Sequence, residues 1–202
     1  RPQKTFFTQW RGEFNLNNFM PTKTEKDLWV EMSIREIRTQ AHFAEIAYSH
    51  IDPKAASGND AVFSSIHSFL SHCAIISKML KANDDSNPPK SIGDVLKISD
   101  ASLIHRRKFR NNLEHYDKEL KDWIRKFGAN VNIGTYNIGP KNAFQISNMV
   151  LVSHYDQTNQ MFTFVNDDFD LGTMFSEVQR IKNIADNWVK GMESRKINPP
   201  FI

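Results

Sequence analysis

The sequence predicts a mainly α protein, a helical bundle of four long helices with a small β-hairpin inserted before the last one. Two observations support this prediction. Apolar residues recur at helical spacing in four long stretches, whereas residues 131–165 contain short strand-like segments. The chain has 202 residues, of which 40% are hydrophobic, which fits one domain with a sizeable core. We assign this domain to residues 24–193, between an N-terminal arm (residues 1–23) and a C-terminal tail (residues 194–202).

The N-terminal arm has no clean periodicity but is rich in large apolar side chains, and we expect it to pack on the domain. These side chains are Phe6, Phe7, Trp10, Phe14, Phe19 and Met20. A first helix is predicted from about residue 24 to residue 49, with a capping box formed by Thr22 and Glu25. This helix has a second apolar side, which predicts a central position in the bundle. That side consists of Leu28, Met32, Phe43 and Ile46.

Two further long helices are predicted at about residues 60–82 and 101–127. A polar segment rich in Asn, Asp and Pro separates them at residues 83–89, and a short helix is predicted near residues 92–96. Gly128 is well placed to end the third long helix, because glycine adopts the backbone conformation that follows many helix C-termini.

The β-like part of the chain lies between the third and the last long helix. Strand-like stretches occupy residues 131–138, 149–155 and 161–165, and the polar residues 156–160 join the last two stretches into a predicted hairpin. A last helix is predicted at about residues 170–192. We expect the acidic residues before it to form a turn and to cap its first turn: Asp167, Asp168 and Asp170.

Composition excludes several classes of protein and site. With 8 Gly and 8 Pro, the chain is neither collagen-like nor a low-complexity linker. The single cysteine, Cys73, allows no intrachain disulfide and no cysteine-rich zinc site. No apolar stretch approaches the ~18 residues that a membrane span needs, and the N-terminus lacks a hydrophobic signal core, so we expect a cytoplasmic protein without membrane contact.

The third long helix carries the most informative residues. If it is continuous, with ~3.6 residues per turn, its core side and its outward side separate cleanly. The predicted core side consists of Phe109, Leu113, Tyr116, Leu120, Trp123 and Phe127. The outward side presents the polar and charged residues Arg107, Arg110, Asn111, Glu114, His115 and Lys118.

This outward side suits a phosphodiester ligand. Residues 104–126 contain eight Lys/Arg and four Asp/Glu, a net charge of +4 within a chain whose total is +3. Arginine can bind a phosphate in a bidentate manner, and histidine can transfer a proton near neutral pH. A plainer interpretation stays open, in which this side is only solvated and Arg110 and Glu114 form an i,i+4 ion pair.

The stretch Arg110-Asn-Asn-Leu-Glu-His115 resembles the R-x4-6-H motif of the HEPN superfamily, the higher eukaryote and prokaryote nucleotide-binding domains. The polar Asn111 directly after the arginine fits that motif. Its position early in a long helix, after a long loop, fits as well. The wider resemblance covers about residues 25–190 and is to uncharacterised bacterial proteins of HEPN-like type.

The resemblance implies a metal-independent endoribonuclease that uses no cofactor and works as a homodimer, with the motif helices facing each other in one composite site. Arg110 and His115 would activate the ribose 2′-hydroxyl and stabilise the phosphorane, with Asn111 as a polar helper. Supporting or phosphate-binding roles would fall to Arg107, Glu114 and Lys118. The resemblance also implies a possible role as a toxin or in defence, with a regulatory partner protein. The alternative is a non-catalytic HEPN-like module that binds a nucleotide, RNA or a partner protein.

Other residues carry weaker signals. His67 and His72 are spaced i,i+5 on the second helix, which is poor spacing for a shared metal ion and favours packing or surface positions. Cys73 lies on an apolar stripe and is expected to be buried. His154 on the hairpin is expected at the surface. The acidic group at residues 167–170 could hold a cation, although a turn and a helix cap explain it more simply. No phosphate-loop, dinucleotide, hydrolase or zinc motif occurs.

Overall fold

The fold is described from a computed structural model. The structure describes residues 23–54, 58–84, 89–105, 115–128, 131–144, 149–164 and 167–197. The α-helices in these residues are α1 (Glu25–Ser49), α2 (Asn59–Leu80), α3 (Ile92–Leu96), α4 (Tyr116–Phe127) and α5 (Leu171–Ile197). The strands are β1 (Asn132–Gly134), β2 (Asn137–Ile138), β3 (Met149–Leu151), β4 (Ser153–Asp156), β5 (Met161–Phe164) and β6 (Asp167–Asp170). The predicted mainly α class is confirmed, and the N-terminal arm up to residue 22 lies outside the described residues.

Helices α1, α2 and α5 pack together and form most of the core. Tyr48 of α1 stacks on Phe175 of α5 with ring centroids 4.0 Å apart, and it contacts Phe69 of α2 at 5.3 Å. The buried apolar residues of these helices form one cluster, which also includes Trp123 of α4 and the aromatic side chains of the sheet. The prediction of a single core is therefore confirmed for the described residues.

A capping box begins α1, but two residues later than predicted. Thr24 is the N-cap residue, and its hydroxyl accepts a hydrogen bond from the backbone N–H of Asp27 at 3.1 Å. The Asp27 carboxylate in turn accepts one from the backbone N–H of Thr24 at 3.3 Å. The predicted box of Thr22 and Glu25 is wrong, because Thr24 is the N-cap residue. A capping box commonly uses Glu or Gln as its second residue, and here the shorter side chain of Asp27 reaches the N-cap amide.

The predicted central position of α1 is confirmed, because this helix packs on both α2 and α5. The reason given for the prediction is wrong, because the second apolar side of α1 is exposed. Both α2 and α5 pack on the same side of α1, where the fully buried residues are Ile34, Ile37, Ala41 and Ala44. The opposite side is 42–57% exposed at four apolar positions, which we call the apolar stripe: Leu28, Met32, Phe43 and Ile46. An amphipathic helix typically has one apolar side, which it buries against the core. Helix α1 has two apolar sides and buries one of them.

The predicted continuous helix at residues 101–127 is wrong. Leu103–His105 forms a single 3₁₀ turn, and α4 begins only at Tyr116. At the start of this range, the hydroxyls of Ser99 and Ser102 each accept a hydrogen bond from the backbone N–H two residues further on. Such bonds from side chain to backbone compete with helical hydrogen bonding.

The β region is larger than the predicted hairpin. The hairpin of β4 and β5 is present, β6 pairs antiparallel with β5, and β2 pairs parallel with β4, which gives a four-stranded sheet in the order β2-β4-β5-β6. Strands β1 and β3 form a separate parallel pair. The acidic segment Asp167–Asp170, predicted as a turn, is the edge strand β6, because Phe169 pairs with Phe162 on the apolar side of the sheet. Charged residues are common on edge strands.

The last helix begins as predicted and ends later. The Asp170 carboxylate accepts a hydrogen bond from the backbone N–H of Thr173 at 2.9 Å, which confirms its capping role. The helix continues to Ile197, so its predicted end at about residue 192 is wrong. Among the helices of the described residues, none combines the length and the apolar character needed to cross a membrane.

Candidate functional site

Only two of the six predicted site residues lie in the described part of the chain, His115 and Lys118. The other four lie outside it, within residues 106–114: Arg107, Arg110, Asn111 and Glu114. The site is therefore built from the two ends of this motif segment, the 3₁₀ turn before it and α4 after it.

His115 occupies the N-cap position of α4, one residue outside the helix. Its φ and ψ are −119° and 29°, and its carbonyl oxygen accepts the backbone N–H of Glu119 at 2.9 Å. Its imidazole is exposed and makes no capping hydrogen bond to α4. The predicted placement of His115 and Lys118 along one continuous helix is wrong, because an N-cap residue has non-helical backbone angles. The imidazole is nevertheless exposed and therefore accessible to a ligand.

Three basic residues follow His115 along the outer side of α4. We call them the basic ridge: Lys118, Lys121 and Arg125. Their spacing of i, i+3 and i+7 places them on one side of the helix, and all three are exposed. Arg125 pairs with Asp122 at 3.2 Å, whereas the two lysines form no ion pair within the described part of the chain. A row of exposed cations attracts the phosphates of a nucleic acid.

The inner side of α4 attaches the helix to the domain. Trp123 is 3% exposed and contacts the ring of Phe127 at 5.2 Å, while Leu120 and Phe127 are partly buried against the core. For these three residues, the predicted position on the core side of the helix is confirmed. The indole Nε1 of Trp123 is buried and has no hydrogen-bond partner among the described residues. Among the described residues, Trp123 is thus held by packing.

The 3₁₀ turn before the motif segment is anchored on two core helices. Ile104 in the turn is buried, and Ser77 of α2 is hydrogen-bonded to Nδ1 of His105 at 3.0 Å. The hydroxyl of Ser102, just before the turn, donates a hydrogen bond to Glu177 of α5. These contacts fix the position of residues 102–105, which directly precede the motif segment.

Glu177 is the centre of a charged network at this anchor. Two guanidinium nitrogens of Arg180 donate to its carboxylate oxygens at 2.7 and 2.8 Å. The hydrogen bonds from Arg180 are the main reason that the pKa of Glu177 is lowered, and Ser102 and the charge of His105 act in the same direction. Sequence reasoning missed this network, because Glu177 and Arg180 form an i,i+3 pair of the kind common on solvated helices.

A row of polar side chains crosses the four-stranded sheet on one side. Asn137, His154, Thr163 and Asp168 are consecutive cross-strand partners. Thr163 donates a hydrogen bond to Asp168, and Lys141 contacts the same carboxylate at 3.3 Å. The predicted surface position of His154 is wrong, since this residue is fully buried, and burial lowers its pKa. Because His154 and Thr163 are buried, the row is better suited to holding the sheet together than to binding a large ligand.

The other candidate residues have the packing roles predicted for them. His72 is hydrogen-bonded through Nδ1 to Gln40 at 2.7 Å, and the ring of His67 packs against Phe162 at 6.0 Å. Burial lowers the pKa of both histidines and raises that of the Cys73 thiol, which makes the thiol unreactive. In the described residues, no group of three or more His, Cys, Asp or Glu side chains is arranged to hold a metal ion.

A small cavity lies where the 3₁₀ turn meets β6 and the start of α5. Its volume is about 170 Å³, and it is lined by Leu103, Phe169, Asp170, Thr173 and Met174. Pockets for drug-sized ligands typically measure ~300–1,000 Å³, so this cavity is too small for a nucleotide.

Comparisons of the chain with protein-family models, with curated proteins and with solved structures find no match. The functional interpretation rests on the residues themselves. These are the exposed His115, the basic ridge beside it, and the anchored turn before the motif segment.

Proposed function

We propose that this protein is a metal-independent endoribonuclease of HEPN type whose reaction is carried out by Arg110 and His115. The observation that supports this best is the exposed His115, directly beside the basic ridge and at the end of a segment with R-x4-H spacing. RNA cleavage without a metal requires cations that bind phosphate and a group that transfers protons at neutral pH. The exposed basic ridge supplies cations of the first kind, and an imidazole such as that of His115 is a side chain of the type that serves the second purpose.

In the proposed reaction, the basic ridge binds the RNA backbone and the motif residues act on one linkage. His115 accepts the proton of a ribose 2′-hydroxyl while that oxygen attacks the adjacent phosphorus. Arg110 stabilises the negative charge of the phosphorane, and Asn111 supports it. The bond from phosphorus to the 5′-oxygen then breaks and this oxygen takes up a proton from water, which leaves a 2′,3′-cyclic phosphate and a 5′-hydroxyl.

The proposed active form is a homodimer in which the two motif segments face each other across a two-fold axis. In such an interface, each protomer contributes the same surface, so both sets of motif residues would meet in one composite site. A credible interface of this kind would bury more than about 1,000 Å². A protein that stays strictly monomeric in sedimentation at working concentration would rule out the composite site.

A second candidate function is a non-catalytic module that binds RNA, a nucleotide or a partner protein at the same surface. The N-cap position of His115 favours this candidate. The predicted pairing of Arg110 with His115 assumes that both side chains project from one continuous helix, and the backbone angles of His115 are not helical. The two functions differ in one measurable property. A binding module retains affinity for RNA but produces no fragments.

The experiment that separates them is incubation of the purified protein with mixed RNA, with and without EDTA, followed by analysis of the fragment ends. We expect fragments with 2′,3′-cyclic phosphates in both conditions. Arg110→Ala and His115→Ala should each lose this activity, whereas the matched control Ile124→Ala, at an exposed apolar position of α4, should retain it. Fragments that persist in both motif variants would indicate a contaminating nuclease. RNA binding without any cleavage by the wild type would favour the non-catalytic module.

A further inference from the structure

A kink separates β1 from β2, which follow one another along the chain and pair in parallel with β3 and β4. The last pair of the first ladder is Gly134 with Leu151, and the first pair of the second ladder is Asn137 with His154. Two residues separate these pairs on each strand, so no inserted residue explains the gap, and one continuous ladder would be in register. The interruption lies in the backbone of Tyr136, whose φ of 56° is in the left-handed region.

Two contacts with α2 hold this kink, which consists of Thr135 and Tyr136. The left-handed conformation is unfavourable for a bulky side chain, because its Cβ crowds the backbone. Nδ2 of Asn59 donates a hydrogen bond to the carbonyl oxygen of Tyr136 at 3.0 Å. The Tyr136 ring packs edge-on against the buried ring of Phe63, with centroids 5.1 Å apart. A strained residue persists where its surroundings hold it, so the kink is a built feature of this fold.

The two ends of the four-stranded sheet differ in charge. At one end, β6 carries Asp167, Asp168 and Asp170, and charges of this kind oppose pairing between edge strands. At the other end, the stretch at residues 132–138 has no charged residue, and its Ile133 is 53% exposed. Uncharged stretches of about six or seven residues that lack Pro and contain β-branched and aromatic side chains are prone to strand pairing. Charge therefore does not protect this end of the sheet.

We propose that the kink keeps the edge at residues 132–138 from pairing with the same edge of a second copy of the chain. The unpaired N–H and C=O groups of an edge strand can bind another strand, and two identical uncharged edges can pair about a two-fold axis. Such pairing requires a straight run of backbone. The kink leaves runs of three residues in β1 and two in β2, and short or bent edge strands oppose edge pairing.

The test compares two substitutions of Tyr136 in the full chain. Valine is β-branched, disfavours the left-handed conformation and favours a strand, so Tyr136→Val should straighten the edge. Glycine adopts the left-handed conformation freely, so Tyr136→Gly keeps the kink and is the matched control. In sedimentation velocity over a range of concentrations, Tyr136→Val should form larger species than the wild type, whereas Tyr136→Gly should match it. The proposed dimer of motif segments does not affect this comparison, because all variants retain that segment.

Hydrogen exchange reports on the kink itself. In dilute samples of Tyr136→Val, the amides of residues 135–136 should exchange about fivefold more slowly than in the wild type, because the continuous ladder adds backbone hydrogen bonds there. Asn59→Ala provides a second route to the same result. It leaves Tyr136 in place and removes a hydrogen bond that holds the kink, so it should produce the larger species to a smaller extent.

A charge on the edge locates the association. Ile133→Lys, combined with Tyr136→Val, should restore the sedimentation of the wild type, because a lysine on an edge strand opposes pairing. Association that survives Ile133→Lys would overturn the proposal, since another surface would then be responsible. Sedimentation of Tyr136→Val and Asn59→Ala identical to that of the wild type would also overturn it. Equal association of Tyr136→Gly and Tyr136→Val would do the same, because association would then not depend on the kink.

Discussion

The core formed by α1, α2 and α5 and the region around α4 are built in opposite ways. The core helices join through fully buried aromatic and aliphatic side chains such as Phe69 and Ile181. Among the described side chains of α4, Trp123 is the deeply buried one, and the basic ridge faces solvent. This contrast suggests that folding stability resides in the first region and the proposed chemistry in the second. Substitutions should therefore affect stability and activity separately, depending on the region in which they fall.

The largest effect on stability is expected in the core, from Phe69→Ala. Phe69 is fully buried between Tyr48 and Phe175, so its truncation leaves a cavity among aromatic rings. Loss of a buried phenylalanine side chain costs about 3–5 kcal/mol of unfolding free energy. Chemical denaturation measures it, with Ile124→Ala as an exposed control expected within about 0.5 kcal/mol of wild type. A cost below about 1 kcal/mol for Phe69→Ala would show that the core does not carry the stability.

A smaller and more local effect is expected at Trp123. Trp123→Ala should cost about 3 kcal/mol, the low end of the range for a buried tryptophan. It should speed hydrogen exchange in α4 more than in α2, because Trp123 attaches α4 to the core. Trp123→Phe should cost less than about 1.5 kcal/mol, since the indole Nε1 has no hydrogen-bond partner among the described residues. Exchange that quickens equally in α2 and α4 would mean that the two regions unfold as one unit.

The Glu177 network, which joins the two regions, should contribute about 1 kcal/mol in a pH-dependent way. The pKa of Glu177 is lowered in the folded protein, first by its hydrogen bonds from Arg180. Its contribution is therefore present above the ordinary value of 4.5 and is lost as the pH falls through the lowered folded-state value. In denaturation curves at several pH values, Glu177→Gln should be less stable than wild type at pH 7, and this difference should shrink below pH 4.5. A difference that is independent of pH would contradict the role of the charge.

The smallest effect on stability is expected at the basic ridge. Lys118→Ala and Lys121→Ala should each change the unfolding free energy by less than about 0.5 kcal/mol, because both side chains are exposed and form no ion pair within the described residues. RNA affinity should nevertheless fall. For each lysine that contacts a phosphate, the slope of log affinity against log salt should become shallower by about 0.7. An unchanged salt dependence in both variants would exclude the ridge as the RNA-binding surface.

How much the sequence could predict also differs between the two regions. Long apolar stripes at helical spacing define the helices of the core, because burial of one helix side leaves a strong periodic signal. Near the site, periodicity alone predicts a helix that begins at residue 101. The local hydrogen bonds of Ser99 and Ser102 compete with helical hydrogen bonding in this stretch. In the Glu177 network, the hydrogen bond between Ser102 and Glu177 joins residues 75 positions apart. The acidic segment at residues 167–170 forms a strand because Phe169 pairs with Phe162 on the neighbouring strand. Contacts of this kind depend on tertiary structure, which no local pattern records.

The most direct test of the separation between stability and chemistry is His115→Ala, with unfolding free energy and RNA cleavage measured on the same preparation. His115 is exposed and makes no capping hydrogen bond, so the unfolding free energy should stay within about 0.5 kcal/mol of wild type. The cleavage rate should fall about 10²–10⁴-fold, because the proton-transferring group is lost. A loss of several kcal/mol of stability, or a cleavage rate equal to that of wild type, would contradict the assignment of chemistry to this region.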